Sequence, residues 1–164
     1  MTSARIRWRA GLLAAAGVLP LATLSCAQPP AAALYMGSPP PAGMARIWFY
    51  RDLNPNDVLA EAYIRMNGAA VGVSTPGGAF YRDVPPGPYH ISVDSYYQDP
   101  HNDADVALAT GMEAYAKVLP LDAYVQGVGA VGGGYRRPNF VVWLYPAEIG
   151  RQMVARSYFT AGGP

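Results

Sequence analysis

The chain is short of the residues on which most catalytic and cofactor chemistry is built. It has one cysteine, Cys26, so no disulfide within the chain is possible. It has two histidines, His90 and His101, well separated from each other, and no close pair of ligands with zinc-site spacing. It has one lysine, Lys117, and charged residues make up only 14% of the whole. No serine sits in a G-x-S-x-G elbow. The glycines at 127, 129 and 132–134 lack the Lys-Ser/Thr that a phosphate loop requires, and read instead as a bulged strand running into a hairpin tip. Three of the arginines, Arg5, Arg7 and Arg9, lie at the extreme N-terminus. Without them nine basic residues stand against eleven acidic ones, a formal charge of −2. Binding to a nucleic-acid backbone needs clustered cations, so nucleic acid is excluded as a partner class. No apolar run reaches the ~20 residues of a membrane-spanning helix.

What is present begins with a leader. Residues 1–10 are basic and free of acid, and residues 11–24 are apolar but broken by Pro20. Small residues follow, which is the pattern of a secretory signal over residues 1–25. The segment Leu21-Ala22-Thr23-Leu24-Ser25-Cys26 resembles a bacterial lipobox, with its leucine two places before the cysteine instead of three. Cys26 is the expected lipidation site. A free thiol in an exported chain is otherwise unusual. Ala27 is not the aspartate that favours inner-membrane retention, which points to an outer-membrane lipoprotein facing the periplasm. The alternative is an ordinary cut before Gln28 that discards Cys26 and leaves a soluble periplasmic or secreted protein. Residues 26–43 are rich in proline and alanine and read as an extended tether.

The body, expected over 44–158, is an all-β pattern. Met44 to Arg51 puts Ile47 and Phe49 on one face and Trp48 and Tyr50 on the other. Asn67-Gly68 lies between two alternating runs and predicts a two-residue type I′ hairpin. Pro85-Pro86-Gly87-Pro88 reverses the chain. Tyr89, Ile91 and Val93 then alternate with His90, Ser92 and Asp94. Further strands are expected at Val106–Leu108, Met112–Leu119, Ala123–Val131 and Asn139–Tyr145. A helix from Ala147 to Tyr158 follows Pro146. Residues 159–164 read as a loose tail. The sum is an antiparallel β-sandwich of about seven or eight short strands with a short C-terminal helix.

The richest place to look for chemistry is the 90–105 region. Asp99, His101, Asn102, Asp103 and Asp105 could offer hard oxygens to a cation, but the sixth and twelfth positions counted from Asp99 are Ala104 and Thr110 rather than the Gly and Glu of an EF-hand loop. A solvated turn is the stronger reading. His90 and Asp94 share a strand face but lie ~13 Å apart along it, too far to pair. Tyr63, Tyr81, Tyr96, Tyr97, Tyr115, Tyr124 and Tyr135 are scattered along the strands, mostly as packing residues. Arg136-Arg137 reads as a solvated turn.

The residues Ala45-Arg46-Ile47-Trp48-Phe49-Tyr50-Arg51, Asn67-Gly68, Val71-Gly72-Val73, Phe80-Tyr81 and Val84-Pro85-Pro86-Gly87 with His90-Ile91 resemble the DUF2846 family of bacterial, mostly lipoprotein-like proteins. They also share features with PEGA-type surface modules. Pro88-Tyr89 adds one residue after the glycine relative to that pattern. The resemblance implies an exported β-sandwich-like domain and transfers no catalytic residue, cofactor or metal. Together these readings predict a lipid-anchored envelope domain that binds an envelope protein or glycan, or supports the envelope structurally. The rival is a metal-dependent envelope hydrolase using the 90–105 region.

Overall fold

The computed structural model describes residues 28–55, 59–95, 102–125 and 135–162; of 122–125 and 135–137 it describes the backbone alone. Nine strands and one α-helix are found among them: β1 (Ala45–Tyr50), β2 (Ala62–Met66), β3 (Ala69–Ser74), β4 (Gly78–Val84), β5 (Gly87–Val93), β6 (Ala104–Leu108), β7 (Glu113–Val125), β8 (Tyr135–Tyr145), α1 (Ala147–Arg156) and β9 (Tyr158–Phe159). They form two sheets, of order β8-β7-β1-β4-β9 and β3-β2-β5-β6. The fold is thus an all-β, sandwich-like one with a short C-terminal helix. No described helix is long and apolar enough to cross a membrane.

The alternation in β1 decides how the layers stack. Ile47 and Phe49 point between the sheets, where they meet Ile64, Met66, Phe80, Ile91, Val93, Leu108, Val118 and Phe140. Trp48 and Tyr50 point outward into a second cluster with Ala79, Tyr115, Val154 and Ala32. All six residues of β1 are buried because one face meets the other sheet and the opposite face lies under α1 and the N-terminal segment. Ala114, Ala116 and Val118 of β7 follow the same rule, turning inward while Tyr115 joins the outer cluster.

The hairpin at Asn67-Gly68 forms as its sequence requires. Both residues have positive φ, 49° and 82°, which a type I′ turn demands. The tip is clamped to β5 from both sides: Asn67 N–H donates to the His90 carbonyl at 2.8 Å, and His90 N–H donates to Asn67 Oδ1 at 2.8 Å. Pro85-Pro86 carries the chain from the first sheet to the second, between β4 and β5.

Several expectations need correction. The sheets are not purely antiparallel, since β1 pairs with β7 and β4 with β9 in parallel. Alternation shows which face a side chain takes but carries nothing about strand direction. The expected strands at Met112–Leu119 and at the start of Ala123–Val131 are one strand, β7, running through Pro120; residues 126–131 lie outside the described ones. Proline is tolerated there because β1 has already ended opposite Lys117, leaving β8 as the neighbour. β8 starts at Tyr135, earlier than expected. The helix ends at Arg156, and Pro146 sits at its N-cap rather than in its first turn.

The ends of the body also differ from expectation. The tail from 159 is not loose: Gly78-Ala79 pair with Tyr158-Phe159, and Thr160 N–H donates to the Ala79 carbonyl. Nor is 26–43 a free tether throughout. Ala32–Tyr35 forms a 3-10 helix, and Ala32 is fully buried. Phe159 N–H donates to the Pro30 carbonyl, and the Tyr35 ring stacks on Phe159 at 3.9 Å. Apolar side chains at 32, 35 and 159 gain burial by docking, which a composition rich in proline and alanine does not announce.

Candidate functional site

Among its described residues, the 90–105 region brings His90, Asp103 and Asp105 together. β5 and β6 pair antiparallel with His90 directly opposite Asp105. The His90 ring therefore lies between two carboxylates: Nδ1 is 2.8 Å from Asp105 Oδ1 and Nε2 is 3.2 Å from Asp103 Oδ2. A shallow groove of ≈ 550 Å³ runs beside it, lined among others by Asn67, Tyr89, His90 and Asp105. The hydrogen bond to Asp105, with the charges of both aspartates, holds the imidazole pKa above its ordinary value. Both ring nitrogens can donate at once only in the imidazolium form.

That arrangement is poorly suited to holding a cation. The carboxylates sit at opposite nitrogens of one ring, so they do not converge with either nitrogen on a common point. Among the described residues no group of three histidine, cysteine or acidic side chains is placed to hold a metal ion. Asp99 and His101 lie outside the described residues. Asp94, four residues along, is engaged elsewhere: Arg65 donates to it from Nε at 2.7 Å and from Nη2 at 2.9 Å. That pairing holds the Asp94 carboxyl below its usual range.

The His90 pair gives a pH prediction. A histidine whose folded pKa is raised contributes stability that is fully present below its unfolded pKa of ~6.5 and is lost as pH rises through the folded value. The ring is half exposed, so the contribution is that of a surface pair, about 0.2–1 kcal/mol. The urea midpoint of the protein should fall slightly more between pH 6 and pH 8 than that of His90→Gln. Added salt should shrink the difference. Identical pH profiles for the two proteins would mean that the imidazole is not stapled in solution.

A second group lies at the open flank of the sandwich, where β3 and β4 face each other across the layer gap. A groove of ≈ 390 Å³ is lined by Tyr63, Ala70, Val71, Gly72, Arg82, Ala161 and Gly162. Arg82 Nη1 donates to the carbonyls of Tyr81 (3.0 Å) and Ala161 (3.2 Å), and Nη2 to that of Gly162 (3.2 Å). Its guanidinium lies 5.0 Å from the centre of the Phe80 ring. No sequence motif marks this group. Its members come from β2, β3, β4 and the last described residues, so only the fold assembles them.

The outer face of the first sheet carries two further charged pairs. Arg46 is held by Asp83 through Nε at 2.7 Å and Nη2 at 2.9 Å, and lies 4.0 Å over the Tyr81 ring. Lys117 Nζ is 2.6 Å from Asp52 Oδ2 and 5.3 Å from the Tyr145 ring centre. Of the tyrosines noted in the sequence, Tyr115 is buried and Tyr63 is 49% exposed. Tyr96 and Tyr97 lie outside the described residues, as do the side chains of Tyr124, Tyr135, Arg136 and Arg137.

By fold and surface the chain belongs to the broad class of two-sheet β-domains. No protein-family profile matches it, and no curated protein shows significant similarity to it.

Proposed function

We propose that this protein is an exported envelope domain, anchored through a lipid on Cys26, that works as a binding or structural module and not as an enzyme. The observation that carries the reading is the state of His90. The only histidine among the described residues has both ring nitrogens occupied by Asp103 and Asp105 on an exposed strand pair. It links β5 to the start of β6, and with both carboxylates in place neither nitrogen is open to a metal or a substrate. This favours the binding reading over a hydrolase built on the 90–105 region.

The docking of residues 30–35 adds a geometric consequence. Ala32 is fully buried only six residues after Cys26. An extended chain covers at most 3.3–3.6 Å per residue, so an acylated Cys26 would hold the body within about 20 Å of the lipid surface. The domain would lie close against the membrane and not at the end of a long stalk.

Fractionation of cells producing the protein tests the anchor. The mature protein should pellet with outer membranes, its N-terminal peptide should carry acyl mass on Cys26, and Cys26→Ala should no longer pellet. A mature N-terminus at Gln28 would overturn the lipid anchor.

A further inference from the structure

The flank groove combines three features that point to one kind of ligand. The first is a sheet edge left unpaired among the described residues. β3 pairs with β2 on one side and is the end strand of its sheet. Its sequence, Ala-Ala-Val-Gly-Val-Ser, has no lysine, proline or charge, the usual guards of an exposed edge. The register shift in this ribbon falls at Ile64/Arg65 in β2. Among the described residues, the hydrogen bonds of residues 158–162 go to β4, to Pro76 and Gly77 just before it and to Pro30, not to β3.

The second is a cation with no counter-charge among the described residues. Arg82 is half-buried, and among the described residues no carboxylate lies within ion-pair distance of it. Among the described residues it makes three hydrogen bonds, all to backbone carbonyls, which use three of its five donors. A guanidinium partly withdrawn from water without an anion is costly, and an incoming carboxylate would relieve that cost through a charge-assisted pair.

The third is the groove's floor. A Cβ on Gly72 would stand 2.4 Å from Phe80 Cζ, and one on Gly162 2.5 Å from Phe80 Cδ2. Two glycines thus let backbone close on the Phe80 ring, and glycine inside a strand often marks a place where another main chain approaches. Tyr63, exposed at the rim, adds an amphipathic ring.

We infer that the free edge of β3 accepts an extended segment of another protein, which adds a strand to the sheet and places an Asp or Glu side chain on Arg82. Main-chain bonds supply the affinity and the arginine the selectivity, as in other strand-addition modes. The site gives the binding role proposed above a location, but it does not depend on Cys26 being acylated. Failure of the anchor experiment therefore leaves it standing, and its own failure leaves the anchor standing.

The test uses isotope-labelled protein and six-residue peptides of alternating threonine and valine, with one glutamate walked through the positions. One glutamate peptide should shift the amide signals of Ala69 to Val73. The same peptide with glutamine should bind about tenfold more weakly, the scale of one charge-assisted bond. Arg82→Gln should erase that difference. A peptide N-methylated at alternate amides should not bind. Because the glutamate-to-glutamine and N-methyl comparisons are made on the unaltered protein, they hold even where Arg82→Gln loosens the C-terminal segment. Equal binding of the glutamate and glutamine peptides, or undiminished binding of the N-methylated one, overturns the inference. So does concentration-dependent pairing of β3 with a second copy of the chain that excludes the peptides.

Discussion

Replacing Asp83 by asparagine is expected to cost about 3 kcal/mol, the lower end of the range for removing one partner of a buried ion pair. The reason lies in where Arg46 sits. Its side chain is 4% exposed and that of Asp83 21%. Two charge-assisted bonds hold the pair, a third runs from Arg46 Nη1 to the Ser38 carbonyl at 2.6 Å, and the guanidinium lies on Tyr81. A guanidinium stays protonated at any ordinary pH even without its partner, so deprotonation offers no escape once Asp83 is gone. Asparagine keeps the shape and one acceptor but leaves a full positive charge under the N-terminal segment. A domain of this size should lose roughly 10 °C in Tm. Urea titration with unchanged m-value is the check. Arg46→Met combined with Asp83→Leu should recover much of the loss, since the charge and its counter-charge leave together. A single-variant loss under about 1 kcal/mol would mean that the pair behaves as a surface one.

The same pair shows what could be read from residue order and what could not. The alternation of β1 was legible because Ile47/Phe49 and Trp48/Tyr50 differ in what covers them, and burial follows the two-residue period. Asn67-Gly68 was legible because the turn demands a backbone conformation that few residues adopt. The alternation of Ile91 and Val93 with His90 was legible for the first of these reasons. Pairing across the fold was not. Arg46 meets Asp83, 37 residues away, and Arg82 meets Gly162, 80 residues away. Local periodicity has no term for such contacts. His90 and Asp105 are an intermediate case. Once 104–108 is recognised as a strand paired with β5, register alone puts them opposite each other. The parallel pairing of β1 with β7 and the docked ends fall in the illegible class, since each is decided by what the rest of the chain has left exposed.

Gly150→Ala tests the same separation between local and tertiary terms, because the two predict opposite signs. Gly150 lies in the first half of α1, where alanine is favoured by about 1 kcal/mol over glycine. Against this, the helix is laid closely over β7. An added Cβ would stand 2.3 Å from Tyr115 Cβ and 2.4 Å from its Cγ. The Tyr115 Cβ is fixed by the β7 backbone, so no rotamer of Tyr115 moves it, and Tyr115→Ala would leave this closer contact in place. Tyr115 is 1% exposed, and its cluster includes Trp48 and Val154. The helix must therefore lift by about an ångström, which opens that cluster. Overpacking of this kind costs about 1–3 kcal/mol or more, and the loss of contacts around Trp48 and Val154 adds to it. The net expectation is destabilisation by about 2 kcal/mol, seen as a lower urea midpoint together with a changed near-ultraviolet signal from Trp48. Alanine would instead stabilise the protein only where α1 stood clear of the sheet, and a gain in stability would place the helix there. Glycine at this position is thus a packing residue, kept small by Tyr115 at the expense of helix propensity.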